Sequence, residues 1–101
     1  LEHVDCSGNR LRTLDVEGLR NLVTLECGDN DLERLDLSAN VSLRTLRCSA
    51  DPLSLLNVAA CAADMAEVDA QACPLEVFYK RAGQHIRILR LDDPDIVRDL
   101  R

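Results

Sequence analysis

The chain has 101 residues, 12 basic against 18 acidic side chains for a formal net charge of −6, and 47% apolar residues. That length holds one domain at most, and the acidic balance supplies no basic footprint for nucleic acid or for an anionic membrane surface. No apolar run approaches the ~20 residues that a membrane-spanning helix needs, and no signal peptide is present.

Taken in order, the chain repeats itself. Leu1, Val4, Cys6, Asn9, Leu11, Leu14 and Val16 open a pattern that returns after 21 residues as Leu22, Leu25, Cys27, Asn30, Leu32, Leu35 and Leu37. One more step gives Leu43, Leu46, Cys48, Asp51, Leu53, Leu56 and Val58. A period of 20 to 29 residues with this Leu and Asn spacing marks a leucine-rich repeat and predicts a solenoid. The fold class expected is α/β: a leucine-rich-repeat solenoid with a parallel sheet on its concave face and short irregular, 3₁₀ or helical returns. The coils fall at 1–21, 22–42, 43–64, 65–85 and 86–101.

Within each coil the alternation Leu25-Glu26-Cys27-Gly28 predicts a strand whose residues 25 and 27 point inward while 26 and 28 face water. Asn9 and Asn30 follow, where an amide can serve the backbone groups of a turn. Asp51 can only accept when ionised, so the third turn is expected to be less well tied. After Val58 the segment AACAADMAEV is rich in helix formers, and one inserted residue puts the fourth copy at Met65, Val68, Ala70, Cys73, Leu75 and Phe78. The fifth copy, Ile86, Leu89, Leu91, Pro94, Ile96 and Asp99-Leu100, is degenerate, and its charged tail 92–101 is expected to close the stack. Leu1 begins a coil with no polar cap before it. The sequence therefore reads as a piece of a longer protein, its first edge covered by further repeats or by another chain.

No residues point to catalysis. There is no G-x-S-x-G, phosphate-cradling Gly loop or H-E-x-x-H, and His3 and His85 are isolated. Cys6, Cys27 and Cys48 form an inward column, but strands stacked about 4.8 Å apart leave neighbouring cysteines poorly placed for a disulfide. A straight column also cannot converge four ligands on a metal. Buried, reduced thiols are expected, and no cofactor.

The outward columns on the strand side are His3, Thr24, Thr45, Glu67, Ile88; Asp5, Glu26, Arg47, Asp69, Arg90; Ser7, Gly28, Ser49, Gln71, Asp92; and Gly8, Asp29, Ala50, Ala72, Asp93. Solenoids read partners on this face, so the candidate partner-binding residues are Asp5, Thr24, Glu26, Thr45, Arg47, Asp69 and Arg90. Trp and Tyr anchors, which dominate protein interfaces, are missing from them.

The run LECGDNDLERLDLSAN, with Cys at the inner strand site followed by L-D-L-S-x-N, resembles the cysteine-containing leucine-rich repeats of bacterial surface proteins of the internalin type. The likeness is good over 1–58 and loose over 59–101. It implies a curved right-handed solenoid with a cysteine ladder in its core, a protein ligand, and a secreted or bacterial cell-surface location. The expected function is a protein-interaction module. The alternatives are a structural spacer, or the repeat arm of a secreted effector whose catalytic domain lies outside these residues.

Overall fold

Apolar side chains at the inward sites, most of them leucine and repeated at a near-constant interval, let a chain bury itself by laying each turn on the one before. The computed structural model, which describes residues 2–101, shows this as a parallel β-solenoid of five coils. Leu1, the first repeat position in the sequence reading, lies outside the described residues. The strand elements are β1 (His3–Asp5), β2 (Thr24–Glu26), β3 (Thr45–Arg47), β4 (Leu55–Asn57), β5 (Asp64–Asp69), β6 (Val77–Arg81), β7 (His85–Arg90) and β8 (Val97–Leu100). The first sheet has the order β1-β2-β3-β5-β7 and takes one strand from every coil, while the second, β4-β6-β8, forms on the return side.

The register follows the repeat. Val4 pairs with Leu25, Leu25 with Leu46, Leu46 with Val68 and Val68 with Leu89. The core between the sheets is this column with its neighbours: Leu22, Leu25, Leu32, Leu43, Leu46, Leu53, Leu56, Met65 and Phe78 are all fully buried. Only Phe78 among them is aromatic, so the interior is a stack of aliphatic side chains.

The returns differ from the α/β expectation. Among the described residues there is no α-helix, and the single helical element is a 3₁₀ turn, Pro94–Ile96. The helix formers of AACAADMAEV enter a turn and then β5, because pairing with β3 on one side and β7 on the other outweighs local propensity. β-branched and aromatic residues at Val77-Phe78-Tyr79 favour the strand in the fourth return. The first two returns form no strand. There Asp15 Oδ1 accepts from Glu17 N at 3.0 Å, and Asp36 Oδ1 accepts from Ser38 N at 3.0 Å and Ser38 Oγ at 2.6 Å. The same local bond recurs in the third return, where Asn57 Oδ1 accepts from Ala59 N at 2.9 Å, and β4 forms there because it pairs with β6. With no ladder between the second return and β4, the coils part on that side around a groove of ≈ 860 Å³ that Glu33, Arg34, Asp36, Leu55 and Asn57 help to line.

Two further expectations are corrected in the fifth coil. Phe78 pairs with Val97, not with Asp99, so the last return is two residues shorter than the repeat step. The tail 92–101 does not close the stack either: it forms the 3₁₀ turn and β8, and leaves Leu89 36% and Leu100 38% exposed at the end of the solenoid.

The turns after the strands of the first four coils each hold one residue at positive φ, Gly8 (73°), Asp29 (55°), Ala50 (59°) and Ala72 (57°). Only the first is the residue type that accepts this conformation without strain. Gly28, placed outward by the sequence, is buried because the coils close up there: a Cβ at this position would sit 2.8 Å from Ser49 O.

Leu46→Ala empties a site that is fully enclosed and should destabilise the fold by about 2–5 kcal/mol through lost transfer energy and the cavity left behind. Urea denaturation measures this. A loss under about 1 kcal/mol would place Leu46 outside the core.

Candidate functional site

Two places gather polar side chains, the solvent face of the first sheet and the turn that follows it. On the face, strand pairing sets the columns residue by residue. His3, Thr24, Thr45, Glu67 and Ile88 stand in one row, and Asp5, Glu26, Arg47, Asp69 and Arg90 in the next. All seven candidate residues lie on this face, each in a strand.

Their side chains divide into three kinds. Arg47 reaches across the strands in both directions, donating from Nη1 to Glu26 Oε1 at 2.8 Å and from Nη2 to Glu67 Oε1 at 2.9 Å. These two bonds hold its guanidinium above its ordinary pKa. Arg90 Nε lies 3.7 Å from Glu67 Oε2, so Glu67 joins two arginines. Asp5 and Asp69 serve turns: Asp5 Oδ1 accepts from Ser7 Oγ at 2.6 Å and Ser7 N at 3.1 Å, and Asp69 Oδ1 accepts from Gln71 N at 3.2 Å. The Ser7 hydroxyl, with the Ser7 amide, draws the Asp5 carboxyl below its usual range. Thr24 and Thr45 are half-buried between these charges. Three residues of these two rows escaped the candidate set, His3, Glu67 and Ile88. Glu67 is the node of the ion-pair row, and Ile88 is 46% exposed beside it. The column order already placed Glu67 next to Arg47 and Arg90, so opposite charge on adjacent strands was the signal available.

The turns are organised by side chains that serve backbone carbonyls. Asn30 Nδ2 donates to Cys27 O at 3.0 Å and Gly28 O at 3.1 Å in its own coil, and to Cys6 O at 3.1 Å in the coil before. Asn30 Oδ1 accepts from Leu11 N at 3.1 Å. In the next coil Asp51 keeps the accepting half of this pattern, Oδ1 taking Asn30 N and Leu32 N at 3.2 Å each, but as a carboxylate it has nothing to donate. Its Oδ2 is buried and without a partner. Cys73 then supplies the missing donor, its thiol lying 3.2 Å from Cys48 O. The return side has its own version: Asn40 Nδ2 binds Val16 O and Leu19 O at 2.9 and 3.1 Å, and Gln84 Nε2 binds Val58 O and Ala62 O at 2.9 and 3.0 Å.

The five cysteines are free thiols. Burial pushes Cys27 and Cys61 up to about 12 and raises Cys48 well above its ordinary value, so these thiols stay protonated and are poor nucleophiles. Among the described residues no group of His, Cys, Asp and Glu is placed to hold a metal ion, and no helix is long and apolar enough to cross a membrane.

A scan against family models and searches of curated proteins and of solved structures found no match.

Burial raises the Asp51 pKa against the two amide bonds that lower it. The folded chain thus holds this proton more tightly than the unfolded chain, and ionised Asp51 weakens the fold. That penalty is fully present above the folded pKa and is relieved as pH falls from there towards 3.8, the ordinary value. Asp51→Asn restores the donor and should stabilise the chain by about 1 kcal/mol at neutral pH. The advantage should shrink on acidification, as read from urea midpoints between neutral pH and pH 4. A variant that is no more stable at pH 7, or whose advantage grows in acid, would contradict the assignment.

Proposed function

We propose that the chain is a leucine-rich-repeat module for protein interaction, with the solvent face of the first sheet as its concave reading surface. The observation that carries the reading is the ion-pair chain Glu26, Arg47, Glu67, Arg90, which zigzags between the two rows with one member on each of four strands and Thr24 and Thr45 beside it. A rigid parallel ladder presents alternating charges at fixed strand intervals, with Ile88 as an apolar contact at one end. Such a surface suits a polar protein partner of matching charge order, because pre-ordered side chains lose little freedom on binding.

The pattern LECGDNDLERLDLSAN and the buried column Cys27, Cys48 and Ala70 are consistent with the cysteine-containing repeats of internalin-type bacterial surface proteins, and a cell-surface location follows from that resemblance. On that reading the solenoid is right-handed and belongs to the α/β repeat class, with its returns flattened into strands. A structural spacer is the second reading. It is favoured by Arg47, whose two carboxylate partners lie within the chain and satisfy its charge without a ligand.

Panning a displayed peptide library against the chain separates the two. If the face reads proteins, most selected binders should weaken at least tenfold on Thr45→Lys and be indifferent to Arg34→Glu on the return side. A library that yields no binder sensitive to Thr45→Lys would leave the spacer.

A further inference from the structure

One strand edge is left open in the middle of the solenoid. β4 stands between the return of the second coil and β6, and it pairs only with β6. Among the described residues no backbone hydrogen bond joins 33–38 to 54–60, and the groove of ≈ 860 Å³ runs between these two segments. β4 also lacks the devices that close an edge, since it holds no charged residue and no proline, and Leu55 is 44% exposed on it.

The backbone decides what this edge offers. Ser54 O accepts from Glu76 N and Val58 N donates to Tyr79 O, so the even-numbered residues of the segment face β6. In an extended parallel strand the backbone groups of successive residues point to opposite sides, which turns Leu55 and Asn57 towards the groove. Leu55 O and Asn57 N have no backbone partner among the described residues. A strand laid parallel to β4 would serve both with one residue, its N–H donating to Leu55 O and its C=O accepting from Asn57 N. That residue falls in the column of the buried Leu35 and Leu56, where an apolar side chain belongs. The residues on either side of it fall in the outward columns that the 21-residue step defines, Arg34 with Leu55 and Asp36 with Asn57. Neither Arg34 nor Asp36 has an ion-pair partner among the described residues. An acidic residue beside Arg34 and a basic one beside Asp36 supply the opposite charges that stabilise neighbouring strands.

We propose that the open edge of β4 is a protein-binding site separate from the face of the first sheet, and that it takes an extended segment of another protein by strand addition, reading the order acidic, apolar, basic parallel to β4. Main-chain bonds to Leu55 and Asn57 hold the segment, while Arg34 and Asp36 fix its register and direction. Laid the other way, the same segment sets like charges side by side. The site is on the return side, so Thr45→Lys leaves it unchanged.

The probe is a short acetylated and amidated peptide, Thr-Val-Glu-Val-Lys-Val-Thr, titrated into the isotope-labelled chain and followed by amide chemical shifts and hydrogen exchange. The peptide should shift the amides of β4 and slow exchange at Asn57 about tenfold or more. Methylating the nitrogen of the central Val removes the donor to Leu55 O and should weaken binding about tenfold. Methylating the nitrogen of the Glu, which points away from β4, should leave binding within about twofold of the parent, because that group serves no bond to the edge. Exchanging Glu and Lys in the peptide should weaken binding about fivefold, and Arg34→Glu should do the same to the parent peptide. Two results overturn the proposal: no change at Asn57 up to millimolar peptide, or binding that is indifferent to the central methyl group. Binding of both charge orders with equal strength overturns the assigned direction and with it the roles of Arg34 and Asp36.

Discussion

Every coil of this molecule turns two corners inside the stack, and at each corner carbonyl groups face inward where no strand partner can reach them. Leaving a buried carbonyl unpaired costs about as much as a lost hydrogen bond, and the rest of the structure depends on how that demand is met. Asn30 meets it for two coils at once by spanning Cys27 O and Cys6 O, and at the opposite corner Asn40 and Gln84 each reach back to two carbonyls of the preceding coil. These side chains bond across coils, so they set the vertical interval as well as the turn. The leucine columns then fall into contact because the corners have been fixed, and the parallel ladders follow from the interval.

The third coil shows how tolerant this arrangement is. Asp51 preserves the acceptor and drops the donor, and a thiol from the following coil fills the vacancy at Cys48 O. Substitution at one corner is thus compensated one coil later. The cysteines accordingly have two roles. Those at the strand site are small buried bodies, whereas Cys73 stands where the other coils place an amide or carboxylate, and it acts as a donor.

What could be read from the sequence was whatever the repeat encodes directly. The step of 21 residues placed Thr24 beside Thr45 and Glu26 beside Arg47, and the inserted residue before Met65 put Leu46 on Val68; the strand pairing follows these assignments. The repeat could not encode the conformation of the returns, because the same inward leucines serve a turn or a strand. What decides is the neighbouring coil: Asn57 makes the same local bond as Asp36, accepting from Ala59 N, yet lies in β4 because Val77-Phe78-Tyr79 pairs with it. The left-handed turn residue was hidden for a related reason, since Ala50 and Ala72 occupy a site whose preference only Gly8 displays. The functional face was legible as columns but not as bonds. Nothing in the spacing distinguishes an Asp5 that caps its own turn from a Glu26 that pairs across strands.

The uneven second sheet has a mechanical consequence. In the last three coils both walls are laced by hydrogen bonds, so bending there must break or stretch a ladder. In the first three, one wall is laced and the other has no strand ladder between its first two returns or across the groove behind Arg34 and Asp36. The molecule is therefore a beam of two stiffnesses. Under a load applied along its length it flexes by opening and closing that groove, with the laced sheet as the hinge line, while the far half moves as a rigid body.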